Sequence, residues 1–237
     1  MKHLLLSAFV ALTFTTACAQ PERGTFSIIP RIGVALSNIS HESLGLSSGD
    51  ASRSDLYKGR YREGAAVGID AQYQATDNFA ASLGLFYTRQ GCRYKDTDLT
   101  GAEKGEYSAF SDIRFGLDYL NIPILAHLYI ADGLSLNAGF QCSFLLRNRL
   151  NYDVADVTIN KGGSYTYKGQ TESNSIKQNF IHNTDLSIPI GFSYEYANVV
   201  LDFRYNIALT KLYDKPLGDD NCRNRAFVIT AGYKLNL

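Results

Sequence analysis

The chain has 237 residues, of which 19% are charged, and 23 basic residues balance 23 acidic ones. Soluble globular domains usually carry about 25% charged residues, and a chain without net charge is a poor match for a nucleic-acid partner. With 16 Tyr, 13 Phe, 20 Gly, one Met and no Trp, the composition favours β structure with many turns.

The N-terminal segment has the layout of a secretory signal peptide. After a short polar start, an apolar run covers Leu4–Phe14, and the triplet A-C-A around Cys18 matches a small-residue cleavage site. The run is too short to span a bilayer. We therefore predict a signal peptide over residues 1–19 and a single mature domain over 20–237. The alternative is lipoprotein processing at Cys18, which is disfavoured because Thr15 stands where Leu is usual.

Eight later segments alternate apolar and polar residues with a period of two, the pattern of β-strands that have one apolar face. In chain order they cover about 25–37, 64–74, 79–90, 119–130, 134–146, 184–196, 199–209 and 225–237. Each is about 11–13 residues long, which exceeds the ~5–6 typical of globular sheets and suits a tilted membrane strand.

The sixth and seventh segments show the pattern most clearly, in the stretch FSYEYANVVLDFRYNIAL. Glu195, Asp202 and Arg204 all fall on the polar face, opposite a continuous row of aromatic and aliphatic residues. The pair Ala197-Asn198 between the two segments predicts a two-residue hairpin turn, because Asn tolerates the positive φ that such turns need.

Long and short connections alternate strictly along the chain. The short ones are 75–78, 131–133 and 197–198, and the long ones are 38–62, 91–118, 147–183 and 213–224. In an up-and-down barrel this puts every long loop at one end, as in outer-membrane barrels. We predict an all-β, eight-stranded antiparallel transmembrane β-barrel. The loop over 147–183 has enough Val, Ile and Tyr to form a hairpin above the membrane.

In lipid every backbone polar group must be paired within the protein, which a closed barrel achieves. The apolar faces would then point to lipid and the polar faces inward, where charges need partners. Charged residues of both signs fall on the inward faces: Arg31, Asp70, Glu195, Asp202, Arg204 and Lys234. We predict that they form a paired network that plugs the barrel, with inward glycines leaving room for the long side chains, so that no conducting pore is expected.

Four tyrosines near strand ends are candidates for the aromatic girdles of a membrane barrel: Tyr73, Tyr87, Tyr196 and Tyr233. Ordinary sheet packing is the alternative interpretation of these residues.

The stretches FYTRQGCRY, YLNIPILAHL and LDFRYNIALT, in this order, resemble the PorT-type outer-membrane β-barrel family of Bacteroidota, whose architecture is related to OmpX and the OmpA barrel. Ala208 stands where that family commonly has Gly, and Leu237 ends the chain where Phe is usual. The resemblance implies residence in the outer membrane of a Gram-negative bacterium, with lipid and the barrel-assembly machinery as partners. It implies no shared biochemical activity.

The sequence contains only weak matches to catalytic motifs. The G-x-S-x-G match at 45–49 lies in a polar loop rather than between a strand and a helix, as a nucleophile elbow requires. A lipid-modifying enzyme would use a Ser with one of three histidines, but His127 is interpreted as a satisfied interior residue and His41 and His182 as solvated.

No metal site or cofactor is predicted. Asp214, Asp219 and Asp220 could offer oxygen ligands to calcium, but their spacing matches no known binding loop. The mature chain has three cysteines. Cys92 and Cys222 both fall at the long-loop end and could form a disulfide, whereas Cys142 should face lipid as a small apolar residue.

The sequence thus predicts a non-enzymatic outer-membrane barrel whose external loops serve a structural or adhesive role, or recognise an unknown external ligand or protein. A monomer is expected. The alternatives are a soluble lipocalin-like barrel with an apolar ligand inside and, third, a lipid-modifying enzyme.

Overall fold

The computed structural model describes residues 23–40, 43–47, 54–99, 103–160, 165–177, 181–213 and 222–237. The predicted signal peptide, His41 and the three aspartates of the acidic turn lie outside these ranges, as does the end of the G-x-S-x-G match. No helix in the described part of the chain is long and apolar enough to cross a membrane.

The described residues form twelve β-strands. Their bounds are β1 Phe26–Ser40, β2 Ser43–Ser47, β3 Ser54–Lys58, β4 Arg62–Thr76, β5 Phe79–Arg93, β6 Gly105–Ala131, β7 Leu134–Ile159, β8 Tyr165–Ile176, β9 Thr184–Tyr196, β10 Val199–Ala208, β11 Arg223–Tyr233 and β12 Leu235–Asn236.

Eight of these strands close into a ring in the order β1-β4-β5-β6-β7-β9-β10-β11, and every neighbouring pair is antiparallel. The ring closes between the first and last of them, where β1 pairs with β11 from Arg31 opposite Gly232 to Ser40 opposite Arg223. The short strand β12 continues this seam against the start of β1. The predicted eight-stranded antiparallel barrel is therefore confirmed.

The two faces of the barrel wall have opposite character. Ile32, Ile124 and Phe140 point outward and are 69%, 60% and 63% exposed, while Asp70 and Asp202 point inward and are buried. A soluble lipocalin-like barrel would have its apolar face inside. The lipocalin-like alternative is therefore wrong, because the large apolar side chains cover the outside.

The outward apolar band has the height of a membrane core. On β1 it runs from Phe26 to Leu36, ten residue steps of roughly 3.3 Å, and a tilt of about 40° makes this roughly 25 Å along the barrel axis. Tyr73, Tyr196 and Tyr233 lie on the outer face at one edge of this band, and Tyr87 lies near the other. These are the levels at which aromatic girdles occur.

Three tight turns close one end of the barrel, which we call the turn end. They join β4 to β5, β6 to β7 and β9 to β10. In the last of them Ala197 and Asn198 have φ values of 47° and 67°, the two positive angles of a type I′ hairpin turn. The two-residue turn predicted at this position is confirmed.

At the opposite end of the barrel, which we call the loop end, the strands are longer than the sequence predicted. β6 begins at Gly105 rather than near 119, and β7 continues to Ile159 rather than ending near 146. β8 pairs with the far half of β7, so the hairpin expected within 147–183 is present. β2 and β3 form a second hairpin within the first long connection. The alternation was hidden because the inward residues of β6 become apolar before Tyr119, while its outward residues become polar or charged. In β7 a register shift between the Asp118 and Tyr119 pairings also changes which residues face inward.

Candidate functional site

The barrel interior, rather than a surface cleft, holds the densest group of charged side chains. Arg31 Nε lies 2.7 Å from Asp70 Oδ2, and Arg204 Nη2 lies 3.2 Å from the same oxygen. Arg204 Nε lies 2.6 Å from Asp202 Oδ1, and Arg31 Nη1 lies 3.9 Å from Asp202 Oδ2. We call these four residues the charge tetrad. Two arginines and two aspartates leave it with no net charge.

The tetrad is assembled from three strands that are distant in the sequence. Arg31 comes from β1, Asp70 from β4, and both Asp202 and Arg204 from β10. Their side chains are at most 6% exposed. Charges buried this deeply are tolerated because each faces an opposite charge. Arg204 also lies over the ring of Phe86, with 5.4 Å from its Cζ to the ring centroid, a cation–π contact.

A second buried ion pair lies closer to the turn end. Lys234 Nζ lies 2.8 Å from Glu195 Oε2, and both side chains are buried. Lys234 belongs to the segment that follows β11, and Glu195 to the end of β9. The structure thus places all six charged residues singled out in the sequence inside the barrel, divided between this pair and the charge tetrad.

Glycines opposite the charged residues provide the room for their side chains. A Cβ on Gly232 would lie 2.8 Å from Cγ of Arg31, and a Cβ on Gly84 would collide with Asp70 Oδ1. Gly84 is directly opposite Asp70 in the β4–β5 pairing. The side chains of Arg31 and Asp70 therefore depend on the missing side chains of Gly232 and Gly84 on the neighbouring strands.

His127 sits in a chain of interior hydrogen bonds. Its Nε2 is 2.7 Å from Ser82 Oγ, and its Nδ1 is 2.8 Å from Asn137 Oδ1. The Asn137 amide in turn donates to Asp202 Oδ2 at 3.2 Å, and the Ser193 hydroxyl donates to the same oxygen at 3.1 Å. The histidine therefore connects polar residues of four strands to the charge tetrad.

Little space remains between these side chains. A cavity of about 10 Å³ is lined by residues that include Phe86, Asn121 and Arg204, and a second of about 10 Å³ by residues that include Arg31, His127 and Glu195. A volume of this size holds about one water molecule. Neither cavity has room for an organic ligand.

Above the polar interior, toward the loop end, the inward side chains become apolar. They form one buried cluster, which we call the apolar cap: Ile39, Cys92, Tyr94, Ile113, Phe115, Leu117, Tyr119, Leu150, Ile181, Leu212 and Cys222. This cap was not predicted from the sequence, because most of its members fall in segments that were assigned to loops. The signal was the apolar alternation of Ile113, Phe115 and Leu117, which extends β6 backwards with its apolar residues on the face opposite to that of Leu120 and Ile122.

The cap also contains the two cysteines considered for a disulfide. Cys92 and Cys222 are both buried in it, and all three described cysteines are in the thiol form. The pairing of Cys92 with Cys222 stays a prediction. Cys142 lies on the outward face of β7 with intermediate exposure, between Phe140 and Phe144.

Of the residues considered for chemistry, His127 contacts Ser82, but both are buried in the interior network rather than in an accessible site. His182 is exposed beyond the loop end of β9, outside the buried interior network. Within the described ranges, no group of three or more His, Cys, Asp or Glu side chains is arranged to hold a metal ion.

A closed antiparallel barrel with an apolar outer band, paired charges inside and long extensions at one end defines the class of outer-membrane β-barrel proteins. A family comparison of the sequence supports the same class. Residues 18–214 match the family model described as "Outer membrane protein beta-barrel domain". The chain belongs to this family, and its location is the outer membrane of a Gram-negative bacterium.

Solved structures similar to this chain include Ail, the attachment invasion locus protein of Yersinia pestis, with 17% identity, a TM-score of 0.41 and coverage of 90% of this chain and 99% of Ail. Neisserial surface protein A has 17% identity, a TM-score of 0.41 and coverage of 89% and 97%. The outer membrane protease OmpT of Escherichia coli has 11% identity, a TM-score of 0.41 and coverage of 94% and 100%. A search among curated proteins finds no match.

Proposed function

We propose that this protein is a non-conducting, non-enzymatic barrel that holds a β-sheet extension outside the cell as a surface for adhesion or for recognition of an external partner. The charge tetrad, buried in an interior whose described cavities each hold about one water molecule, carries the first part of this proposal. Export through the signal peptide predicted over residues 1–19, insertion by the barrel-assembly machinery, a monomeric state and the PorT-type affiliation belong to the same proposal.

Ions would need a continuous aqueous path to cross the barrel. The charge tetrad and the Lys234–Glu195 pair lie across the interior within the height of the apolar band, and the apolar cap lies above them. An eight-stranded barrel is only wide enough for its interior to be filled by side chains. These contacts support a plugged interior.

The extension at the loop end supports a role in recognition. From Asp118 to Gly105, β6 continues for roughly 40 Å of strand at about 3.3 Å per residue, and β7 and β8 pair alongside it. Its own small apolar cluster of Leu99, Val157 and Ile159 packs against Tyr107. A sheet with its own packed cluster offers a more defined surface than a flexible loop does.

One edge of this sheet is open within the described residues, because β8 pairs there only with β7. An open strand edge can accept a further strand from a partner. Tyr167 on β8 is exposed, and aromatic side chains are enriched in binding surfaces. Since short turns of outer-membrane barrels face the periplasm, we propose that the extension faces outward.

Two measurements on the full-length protein test this function. In planar bilayers, the wild-type barrel should show no stable single-channel conductance, and steady ohmic channels would refute the plugged interior. In intact cells, cysteine introduced at Thr166 on β8 should react with an impermeant maleimide, whereas cysteine introduced at Asp132 in a turn should react only after permeabilisation. The matched sites make a reversed labelling pattern decisive against the proposed orientation.

The enzymatic alternative has one observation in its favour, the hydrogen-bonded order Ser82–His127–Asn137, which is also the order of a nucleophile, a base and an orienting group. The three side chains are buried, and the neighbouring cavity has room for about one water molecule. We therefore propose a structural role for His127. Ser82→Ala should leave the lipid A composition of the producing strain unchanged, and an altered composition would favour the enzyme.

A further inference from the structure

The outer wall of the barrel changes abruptly at the loop-end edge of the apolar band. Tyr87 of β5 lies opposite Leu120 of β6, in the last apolar row. Two residues farther along each strand, Arg89 lies opposite Asp118, and Asp118 lies opposite Arg147 of β7. A row of three charged side chains thus begins about 7 Å along the strands beyond the last apolar row.

The charged surface continues over the next rows of the same strands. Gly91 is opposite Gly116, and Gly116 is opposite Arg149; beyond them Arg93 is opposite Arg114. The six arginines on this wall, which we call the arginine patch, are Arg62, Arg89, Arg93, Arg114, Arg147 and Arg149.

Gly116 leaves the space on this wall that the Arg62 guanidinium occupies. A Cβ on Gly116 would lie 2.6 Å from Arg62 Nη1, and that nitrogen donates to the carbonyls of Phe115 at 3.1 Å and Gln90 at 3.3 Å. Because Phe115 and Leu117 point inward, Gly116 faces outward, and the guanidinium lies over its bare backbone. Arg62 therefore adds a positive charge to the outer face of this wall.

Acidic residues neutralise only part of the arginine patch. The ion pairs are Arg89–Asp118 at 3.2 Å, Arg93–Glu63 at 3.4 Å and Arg114–Asp112 at 2.6 Å. Six arginines against three carboxylates leave an excess of three positive charges, and an excess of two remains when Asp96, which accepts from the Asp112 amide, is included. In the part of the chain that the structure describes, Arg147 and Arg149 are exposed and take part in no ion pair.

We propose that the arginine patch binds the phosphate groups of phosphorylated lipids in the outer leaflet. The patch lies on the side wall of the barrel, where neighbouring lipid headgroups face it, at the height where the apolar band ends. A guanidinium presents paired N–H donors that match a phosphate group, and basic clusters beside membrane-spanning segments attract anionic headgroups. The inference rests on the outward orientation of the loop end proposed above. Its test uses purified protein in detergent, so the result does not depend on that orientation.

The test titrates the folded full-length barrel in neutral detergent with phosphatidic acid and with phosphatidylcholine, and counts bound lipids by native mass spectrometry. Wild type should bind phosphatidic acid more tightly than phosphatidylcholine. Arg147→Gln with Arg149→Gln should weaken phosphatidic acid binding roughly tenfold or more, since hydrogen bonds to charged groups are involved. Raising the salt concentration should weaken wild-type binding as well.

The chain offers a matched control. Arg223 and Arg225 of β11 lie at the same end of the barrel and four strands away from β6 around the ring of eight. Arg223→Gln with Arg225→Gln removes the same charge from the opposite wall and should change the affinity less than about twofold. If the double patch variant does not fold, Arg149→Gln compared with Arg225→Gln gives the same contrast.

Three results would overturn the proposal: equal losses in the patch and control variants, equal binding of phosphatidylcholine and phosphatidic acid by wild type, or an unchanged affinity in the patch variant. Inorganic phosphate distinguishes the source of the ligand. If it competes at the same concentration as phosphatidic acid, the patch recognises a soluble phosphate, and the assignment to a lipid is wrong.

Discussion

Removing one charge from the middle of the barrel should destabilise it strongly. Asp70→Asn keeps the size of the side chain but takes away the carboxylate that lies 2.7 Å from Arg31 Nε and 3.2 Å from Arg204 Nη2. The two arginines would then share Asp202 alone, and the charge tetrad would carry one net positive charge in a fully buried position. Breaking a buried ion pair in this way costs about 3–5 kcal/mol.

That cost corresponds to a shift of roughly 150- to 5,000-fold in the folding equilibrium, at about 1.4 kcal/mol per tenfold change. It can be measured by unfolding the barrel in phosphatidylcholine vesicles with guanidinium and following the heat-sensitive gel mobility of the folded form. Asp156→Asn on the exposed extension, where Ser108 donates to the carboxylate, is the matched control and should cost less than about 1 kcal/mol.

A compensating variant makes the reasoning sharper. Arg31→Gln combined with Asp70→Asn restores neutrality and leaves the Arg204–Asp202 contact of 2.6 Å in place. The double variant should be more stable than the sum of the two single changes predicts, by about 1–3 kcal/mol. A cost below about 1 kcal/mol for Asp70→Asn, or strict additivity in the double variant, would refute the view that mutual charge compensation holds the interior together.

Three further substitutions probe other parts of the fold with the same unfolding assay, and an alkylation experiment read by mass spectrometry tests the cysteines. Phe115→Ala in the apolar cap should cost about 3–5 kcal/mol because it leaves a cavity, and a near-zero effect would show that the cap is not packed. Gly84→Ala should destabilise by more than about 1 kcal/mol because its Cβ collides with Asp70 Oδ1, whereas Gly105→Ala on the extension should not. Ala197→Gly should stabilise by roughly 0.5–1 kcal/mol, since φ is 47° there, and a destabilisation would contradict the turn assignment. After oxidation, Cys92 and Cys222 should resist alkylation in the unfolded chain while Cys142 is modified, and modification of all three would show that no disulfide forms.

Sequence periodicity was enough to predict the eight strands of the ring, their short turns and the division into long and short connections. In a strand the side chains alternate strictly between two faces. Once Arg204 was assigned to the polar face, Asp202 and Asn206 had to share it. The wall that faces lipid must be apolar along its whole height, and this makes the alternation unusually clear within the membrane band.

Beyond the apolar band, periodicity no longer identified the strands. In this part of β6 and β7 the outward residues are charged, as at Arg114, Asp118 and Arg149. The apolar residues Phe115 and Leu117 face inward. The apolar face of the strand is therefore the inner one here, whereas within the membrane band it is the outer one. Register shifts in the β6–β7 pairing add to the change. These segments were therefore assigned to loops, and the apolar cap and most of the β-extension were missed.

The sequence by itself determined which face of each strand carries charge, because alternation is a local property of an extended backbone. It could not determine which charges meet. Arg31, Asp70 and Arg204 lie on strands separated by up to 173 positions, and only closure of the ring and its register bring them within 2.7–3.2 Å. The arginine patch has the same origin, since Arg89, Asp118 and Arg147 become one row only when three strands pair side by side. Partners of charged side chains in a barrel are chosen by register, which is a property of the tertiary structure.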